Sequence, residues 1–334
     1  MSEILLADHC IIDCLKINYG IPVAKLILLP LGADLNASVY KAVAHDQSSY
    51  FVKLRRGHHT DLSAAIITLL RNAGIQHVIP PIKNGRGHPL QHIDDCTLIV
   101  YPFVEGQDGF SRHLTNNQWT LLGKVMRQIH EINVPSSVQQ TIRRESYSSK
   151  WREAIRSLYA HMEFEPVIDE IAEKLTLFMK NHATMIYRLV DRAEQLGCEI
   201  QNQSPKFVLC HSDIHAGNVL MDKNDVIYMV DWDDPVMAPK ERDLMFIGGG
   251  IANTWNKPLE EEFFYQGYGH TEINRTILAY YRHERIVEDI AVLGQQLLQT
   301  SGSIQSRTES YNHFLAQFDL HGVIEIAFKT DELF

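Results

Sequence analysis

The first hundred residues alternate short apolar segments with turn formers, and this pattern limits the fold more than any other feature. One helix is predicted within it, in DLSAAIITLLRNAGI, where Asp61 stands near the start and Gly74 at the end. Another is predicted over residues 4–18. The predicted strands, rich in β-branched and aromatic residues, are VAKLILLP (23–30), ASVYKAVA (37–44), SYFVKLRR (49–56) and CTLIVYPF (96–103).

The pattern becomes helical from Thr115 onward. TNNQWTLLGKVMRQIHEI begins with a Thr115 cap, has Gln118 three residues later, and continues with apolar positions at helical spacing. EGQDGF (105–110), with two glycines, is the predicted linker. We therefore predict an α+β chain with a strand-rich part at 1–104 and a larger helical part at 105–334. Its further predicted helices are 165–196, 241–254, 271–298 and 306–318.

Composition narrows the class of protein. A net charge of -10 disfavours nonspecific attraction to nucleic acid or to an anionic membrane and favours a cationic ligand. There is no uninterrupted apolar run of membrane-spanning length and no export signal, so we expect a cytoplasmic protein. The five cysteines are scattered without paired zinc spacing, and they suit a reducing compartment.

Residues 209–234, LCHSDIHAGNVLMDKNDVIYMVDWDD, concentrate Asp, His and Asn between apolar runs. FVLC, NVLM and VIYMVD are predicted to be short buried strands, so the polar residues fall at strand ends and turns. Asp213 and Asn218 are separated by four residues, and Asp231 follows thirteen residues after Asn218. This layout can bring two carboxylates and an amide oxygen to a small volume. Such hard oxygen ligands suit magnesium or manganese better than zinc.

Three other interpretations of this stretch are weaker. His211 and His215 lack the further ligands of a zinc site. Ser212 lies in HSD, which is not a Gly-x-Ser-x-Gly elbow, so a hydrolase is disfavoured. The interpretation that these polar residues only solvate the loop and cap the strands stays open. The Asp-x-x-x-x-Asn spacing with a later Asp is that of phosphoryl-transfer enzymes of the protein-kinase type. There the first Asp orients the acceptor hydroxyl, and the Asn and second Asp hold magnesium on the nucleotide phosphates.

HSDIHAGNVL and MVDWDD resemble the HGDxHxGN and IDW signature of the aminoglycoside phosphotransferases and related small-molecule kinases, and the similarity continues through APKERDLMFIGGG and YYRHERIVEDIAV. The resemblance implies a bilobal protein-kinase-like fold, with a nucleotide-binding lobe at 1–104 and a catalytic and substrate-binding lobe at 105–334. It also implies Mg²⁺, ATP, and transfer of the γ-phosphate to a hydroxyl of a cationic aminocyclitol. Ser212 replaces the usual Gly and Ala216 a common Pro, and neither position carries a reacting group.

The same resemblance implies roles for individual residues. Asp213 matches the catalytic Asp, and Asn218 and Asp231 match the two magnesium ligands. Asp243, in ERDLMF, matches a buried Asp that braces the catalytic loop. Lys53, in FVKL, is expected to reach the α and β phosphates. Its pairing with Asp61 is left open, as is the plain alternative of a solvated strand lysine.

The nucleotide is expected to contact two further segments. LPLGADLNASVY resembles the family's phosphate-covering loop, where backbone N–H groups near Gly32 would cover the phosphates and Asp34 and Asn36 would fix the turn. An ordinary hairpin is the alternative. IVYPFVEG is expected to link the lobes and bind adenine edges. Pro102 lacks an N–H and can offer only its carbonyl, and the other predicted contacts are the backbone groups of Tyr101, Phe103 and Val104.

Acidic residues are the candidates for binding a cationic acceptor. Asp233 and Asp234 follow Asp231, and Glu284 and Glu288 share one face of a predicted helix with Tyr281. A solvated charged face is the alternative. The acceptor itself also stays open, because fold and catalytic loop do not set the substrate. Choline, a sugar or another small alcohol is an alternative acceptor. An alternative of a different class is a catalytically silent nucleotide-binding protein. Protein partners are not predicted.

Overall fold

A computed structural model describes residues 6–29, 36–57, 59–164, 169–251, 254–299 and 303–331. Its contacts form two compact units. The first comprises Met1–Ser111, Val134–Thr141 and Asn218–Asp234, and the second comprises Arg112–Asn133, Ile142–Gly217 and Pro235–Phe334. The chain therefore returns to the first unit twice after Ser111. A single division after residue 104 stays a prediction.

The described elements, in chain order, are α1 (Asp8–Tyr19), β1 (Val23–Leu29), β2 (Ala37–Ala44), β3 (Ser49–Arg56), α2 (Leu62–Asn72), β4 (Leu90–Ile93), β5 (Cys96–Pro102), β6 (Gly106–Asp108), α3 (Asn116–Glu131), α4 (Ser136–Gln139), β7 (Arg143–Arg144), α5 (Lys150–Phe164), α6 (Glu170–Asn181), α7 (Ala183–Gln201), β8 (Val208–Cys210), β9 (Val219–Asp222), β10 (Ile227–Met229), β11 (Val236–Ala238), α8 (Glu241–Leu244), α9 (Pro258–Tyr268), α10 (Arg275–Leu298), α11 (Ile304–Ala316) and α12 (Val323–Asp331). This mixture of a sheet-rich N-terminal region and a helical C-terminal part confirms the predicted α+β class. Among the described residues, no helix combines the length and apolar composition needed to cross a membrane.

The first unit contains an antiparallel sheet with strand order β1-β2-β3-β5-β4. The four predicted strands are confirmed, but β4 was missed because LQHI is short and half polar. Buried side chains from α1, β2, β3 and β5 form the core against the sheet, including Ile11, Leu15, Tyr40 and Leu98.

A second, three-stranded sheet in the first unit has the order β10-β9-β6. Its strand β6 lies inside EGQDGF, so part of the predicted linker is a strand, and the role of this segment as a linker stays a prediction. The physical reason for the strand is Gly106: a Cβ at this position would lie 2.2 Å from the Met221 carbonyl oxygen, so only glycine lets the strand approach β9.

The second unit is mainly helical and centres on α10, against which α5, α7, α11 and α12 pack. The predicted helices at 271–298 and 306–318 are confirmed as α10 and α11, and 165–196 proves to be two helices, α6 and α7, broken at His182. The predicted helix at 241–254 was wrong. Of the described residues in this range only the four of α8 are helical, and the chain then turns through Gly248 and Gly250, both with positive φ.

Helices α3 and α9 pack backbone to backbone. The predicted capping box at the start of α3 is confirmed, since Thr115 and Gln118 bond reciprocally. A Cβ at Gly123 would lie 2.0 Å from the Phe264 carbonyl oxygen, and one at Gly267 would lie 1.8 Å from the Thr120 carbonyl oxygen. The two glycines therefore set the distance between the helices.

We expect Gly123→Ala to lower the free energy of unfolding by about 1–3 kcal/mol, because the new methyl group forces α3 and α9 apart. Urea unfolding followed by circular dichroism measures this change. Lys124→Ala, at the exposed neighbouring position of the same helix, is the control. Equal stability of the Gly123 variant and the wild type would show that the two helices separate freely.

Candidate active site

The hairpin of β9 and β10 brings Asn218 and Asp231 to one end of the first unit's smaller sheet. Val219 pairs with Met229, and the Val230 N–H donates to the Asn218 carbonyl oxygen at 3.0 Å. Asn218 is buried and Asp231 is exposed, with a left-handed φ of 63°. An amide oxygen and a carboxylate at one hairpin end are donors that fit Mg²⁺.

Lys53 lies between two carboxylates of the same unit. Its Nζ is 2.7 Å from Asp231 Oδ1 and 2.6 Å from Asp233 Oδ2. Burial opposes the charged ammonium, but the two carboxylates outweigh it and raise the pKa of Lys53. Lys53 is therefore a fixed cation on β3. Asp61 is exposed before α2 and is not among the ion-pair partners of Lys53 in the described chain.

Asp233, which was predicted to contact a cationic acceptor, forms ion pairs with basic side chains of the protein. Arg55, two residues along β3 from Lys53, places its guanidinium 3.1 Å from the same Asp233 oxygen. Both basic side chains project from one face of the strand because residues two apart share a face. This pairing favours a role for Asp233 in holding Lys53. Asp234 is exposed.

In the second unit, Asp213 follows β8 in a loop and has a partner for each carboxylate oxygen. The Arg285 guanidinium lies 2.6 Å from Oδ1, and His215 Nε2 lies 3.4 Å from Oδ2. Burial alone would raise the pKa of Asp213, but Arg285 and His215 outweigh it and hold that pKa well below its usual range. The side chain remains 42% exposed, so an ionised carboxylate is accessible to a ligand.

Asp243 holds the chain just before Asp213. Its Oδ2 accepts from the His211 N–H at 2.9 Å, and its Oδ1 accepts from the Ser212 N–H at 2.7 Å. His130 Nε2 lies 3.0 Å from Oδ2, and Asp243 is fully buried. The bracing role implied by the resemblance is confirmed by these bonds. They also fix Ser212 at a φ of 74°, which explains why the family signature has Gly at this position.

One buried group resembles a metal site in composition. One ligand atom each from His130, Cys210 and Asp243 lie within 4.8 Å of one another. Both Asp243 oxygens already accept hydrogen bonds, and burial raises the pKa of the Cys210 thiol well above its usual value. A protonated thiol is a poor metal ligand. The cluster is therefore a hydrogen-bonded brace.

Glu284 lies in an acidic and aromatic cluster on α10. Its Oε2 pairs with the Arg152 guanidinium, while its Oε1 is buried and has no hydrogen-bond partner among the described residues. Burial raises the pKa of Glu284 to about 7, with Arg152 opposing this effect and Glu288 adding to it. Glu288 itself is half-buried.

Two residues that the sequence did not single out complete this cluster. The Tyr147 ring lies 5.4 Å from that of Tyr280, and Glu145 Oε2 accepts from the Tyr281 hydroxyl at 3.2 Å. Tyr147 and Glu145 come from an irregular segment whose sequence, RRESYSSK, carries no periodicity. The sequence singled out Tyr281, Glu284 and Glu288 of this cluster, because they share one face of the predicted helix.

The predicted nucleotide contacts are only partly described. Gly32 and Asp34 lie outside the described residues, and Asn36 is exposed, with its carbonyl accepting from the Arg56 N–H at 2.9 Å. Tyr101, the next-to-last residue of β5, lies opposite Phe51. Phe103 and Val104, the other predicted adenine contacts, follow Tyr101. The N–H of Phe103 donates to the Ser49 carbonyl oxygen at 3.1 Å, and Val104 is half-buried.

A model of the phosphotransferase enzyme family matches residues 27–280. The chain belongs to the phosphotransferase enzyme family. This family member is 47% identical to spectinomycin phosphotransferase APH(9)-Ia in complex with ADP and spectinomycin, over 98% of this chain and 100% of that one, with a TM-score of 0.90. The AMP-bound complex of that enzyme matches at 47% identity over 97% and 98% of the chains, with a TM-score of 0.86.

These matches confirm the kinase-like fold of this family member. A curated relative, protein StrN of Streptomyces griseus, is 23% identical over 192 residues, which are 52% of this chain and 56% of StrN. The chain thus matches only about half the length of that curated relative.

The buried Asp243 carboxylate predicts a pH-dependent stability. Its partners His130 and His211 outweigh the effect of burial and lower the pKa of Asp243, so its stabilisation is present above the usual aspartate pKa of about 4 and is lost as the pH falls through that region. We expect Asp243→Asn to lower the free energy of unfolding at neutral pH by about 1–3 kcal/mol, since an amide NH₂ would face a backbone N–H.

Urea unfolding at a series of pH values checks this prediction, with Asp191→Asn at an exposed position of α7 as the control. The difference between wild type and Asp243→Asn should shrink below about pH 4. A difference that stays constant across the series would contradict the assignment.

Proposed function

We propose that the chain is an ATP-dependent small-molecule O-phosphotransferase that phosphorylates a hydroxyl of spectinomycin or of a related cationic aminocyclitol. The observation that carries this proposal is the 47% identity to a spectinomycin phosphotransferase over 98% of the chain, at a TM-score of 0.90. The ionised, accessible Asp213 supports it independently, because this chemistry requires a carboxylate that accepts a hydrogen bond from the acceptor hydroxyl.

Asp213 acts as the catalytic residue in this proposal. A carboxylate with a lowered pKa is a weak base, so Asp213 orients the hydroxyl and receives its proton only as the bond to phosphorus forms. This suits phosphoryl transfer through a loose transition state, in which little negative charge needs to develop on the attacking oxygen. Positioning of the nucleophile then contributes most.

Lys53, Asn218 and Asp231 serve the nucleotide in the first unit. Lys53 is a half-buried cation within reach of Asp231, and Asn218 and Asp231 supply oxygen ligands at one hairpin end. We assign Lys53 to the α and β phosphates of ATP and the pair Asn218 and Asp231 to Mg²⁺. When bound, Mg²⁺ neutralises charge on the phosphates.

The cluster around Glu284 supports a cationic acceptor. Among the described residues the buried Oε1 of Glu284 has no hydrogen-bond partner, and the charge of Glu284 acts on Tyr280. The Tyr147 ring lies 5.4 Å from that of Tyr280 and 6.5 Å from that of Tyr281. Carboxylate and aromatic faces together recognise ammonium groups. Choline would satisfy the same chemistry, and a neutral sugar would not.

A cytoplasmic location also belongs to this proposal, since all five cysteines are free thiols.

An acceptor panel tests the proposed function. The purified chain, with radiolabelled ATP and magnesium, is given spectinomycin, other aminoglycosides, choline or glucose. We expect phosphorylated spectinomycin, and we expect Asp213→Asn to lower kcat by about 10²–10⁴-fold without unfolding the chain. Asp191→Asn is the matched control. Faster turnover of choline or a sugar would show that this compound, and not spectinomycin, is the preferred acceptor. Magnesium-dependent ATP binding without any transfer would favour a silent nucleotide-binding protein.

Glu284→Gln tests the acceptor cluster through its pH dependence. Because the pKa of Glu284 is raised to about 7, its carboxylate is mostly neutral at lower pH and ionised above that value. We expect the variant to raise KM for spectinomycin about tenfold at about pH 8 and much less at about pH 6, leaving KM for ATP unchanged. Dividing the KM of the variant by that of the wild type at each pH cancels the effect of the substrate's own titration. An increase that is equal at both pH values would exclude Glu284 as the charge that binds the acceptor. Glu199→Gln, at an exposed position of α7, is the control.

A further inference from the structure

Arg285 lies between two carboxylates of the second unit. Its NH1 donates to Asp213 Oδ1 at 2.6 Å, and its Nε donates to Asp289 Oδ1 at 3.0 Å, one turn further along α10. The guanidinium also lies 5.5 Å from the centre of the Phe246 ring. A planar guanidinium held at Nε by one acid and offering its end to another has a fixed orientation.

The other groups around Asp213 are polar and are themselves held in place. The Gly217 N–H donates to His215 Nδ1 at 3.0 Å, so the proton of the neutral ring is on Nε2, which faces Asp213 Oδ2. The Asp213 N–H donates to His211 Nδ1 at 3.3 Å. The negative charge of Glu288, on α10, raises the pKa of both Arg285 and Asp289.

We infer that Arg285, anchored by Asp289, is a positioning residue that orients the Asp213 carboxylate and keeps it ionised for phosphoryl transfer. This inference rests on the proposed function, because it assigns the acceptor hydroxyl to Asp213. Arg285 occupies one oxygen of Asp213, and the exposed part of the carboxylate remains for the hydroxyl.

Two observations separate this role from a purely structural one. Burial by itself raises the pKa of Asp213, so without the Arg285 cation the acid would protonate at a higher pH, and the protonated acid could not receive the proton of the acceptor hydroxyl. Asp289 is more deeply buried than Asp213, and burial raises its pKa to about 6 despite Arg285. Asp289 therefore contributes mainly as an anchor for the Nε of Arg285.

The test compares Arg285→Met, Arg285→Lys and Asp289→Asn with the wild type. With saturating MgATP and spectinomycin, kcat is measured from about pH 5 to about pH 9. We expect the ratio of Arg285→Met to wild type to fall at least about tenfold further at the acid end than at the alkaline end. Arg285→Lys should recover most of the activity lost at acid pH, and Asp289→Asn should show a smaller loss. Arg156→Met, on the exposed face of α5, is the control.

A second measurement does not depend on activity. The ¹³C shift of the Asp213 carboxyl, assigned by its absence in Asp213→Asn, should show an ionised group down to about pH 4 in the wild type and in Arg156→Met. In Arg285→Met, or in Arg285→Gln if the Met variant unfolds, the midpoint should move to higher pH, whereas in Arg285→Lys it should move less. An unchanged midpoint, or a kcat ratio that is the same at every pH, would overturn the inference. Wild-type turnover in Asp213→Asn would instead overturn the proposed function.

Discussion

The buried carboxylate of Asp243 is the interaction on which the catalytic loop depends. Removing a charge from water is unfavourable unless hydrogen bonds replace the lost hydration, and here two consecutive backbone N–H groups and His130 do so. These bonds hold Ser212 at a positive φ that a side chain rarely adopts. Since Asp213 is the next residue, the brace sets the direction in which the reactive carboxylate leaves the loop.

Carboxylates of the candidate site are matched to cations within each compact unit. Asp231 and Asp233 face Lys53, and Asp213 faces Arg285. The chain's net charge of -10 therefore gives little guidance on what this site attracts, because its acids are largely neutralised locally. In the proposed function, recognition of a cationic acceptor depends instead on single atoms such as Glu284 Oε1, which has no hydrogen-bond partner among the described residues although Oε2 pairs with Arg152.

Sequence patterns predicted the features that local spacing determines. Strands β1, β2, β3 and β5 follow from β-branched and aromatic runs, and the roles proposed for Asp213, Asn218 and Asp231 follow from a short motif. The missed features depend on long-range contacts. Arg285 is 72 residues from Asp213 and Arg152 is 132 residues from Glu284, and on a helix either arginine has the appearance of a solvated surface residue. Strand β6 depends on a close approach to β9 that no local pattern encodes.

In the proposed function, the partners of Asp213 also bear on how phosphoryl transfer can proceed. A general base that removes a proton early works best with a pKa near the working pH, and Arg285 moves Asp213 away from that condition. A carboxylate that is always ionised and fixed by two partners serves better as an orienting acceptor. With a loose transition state the hydroxyl loses its proton late, so precise placement outweighs basicity. The same ion pair that weakens Asp213 as a base therefore strengthens it as a positioning group for the acceptor.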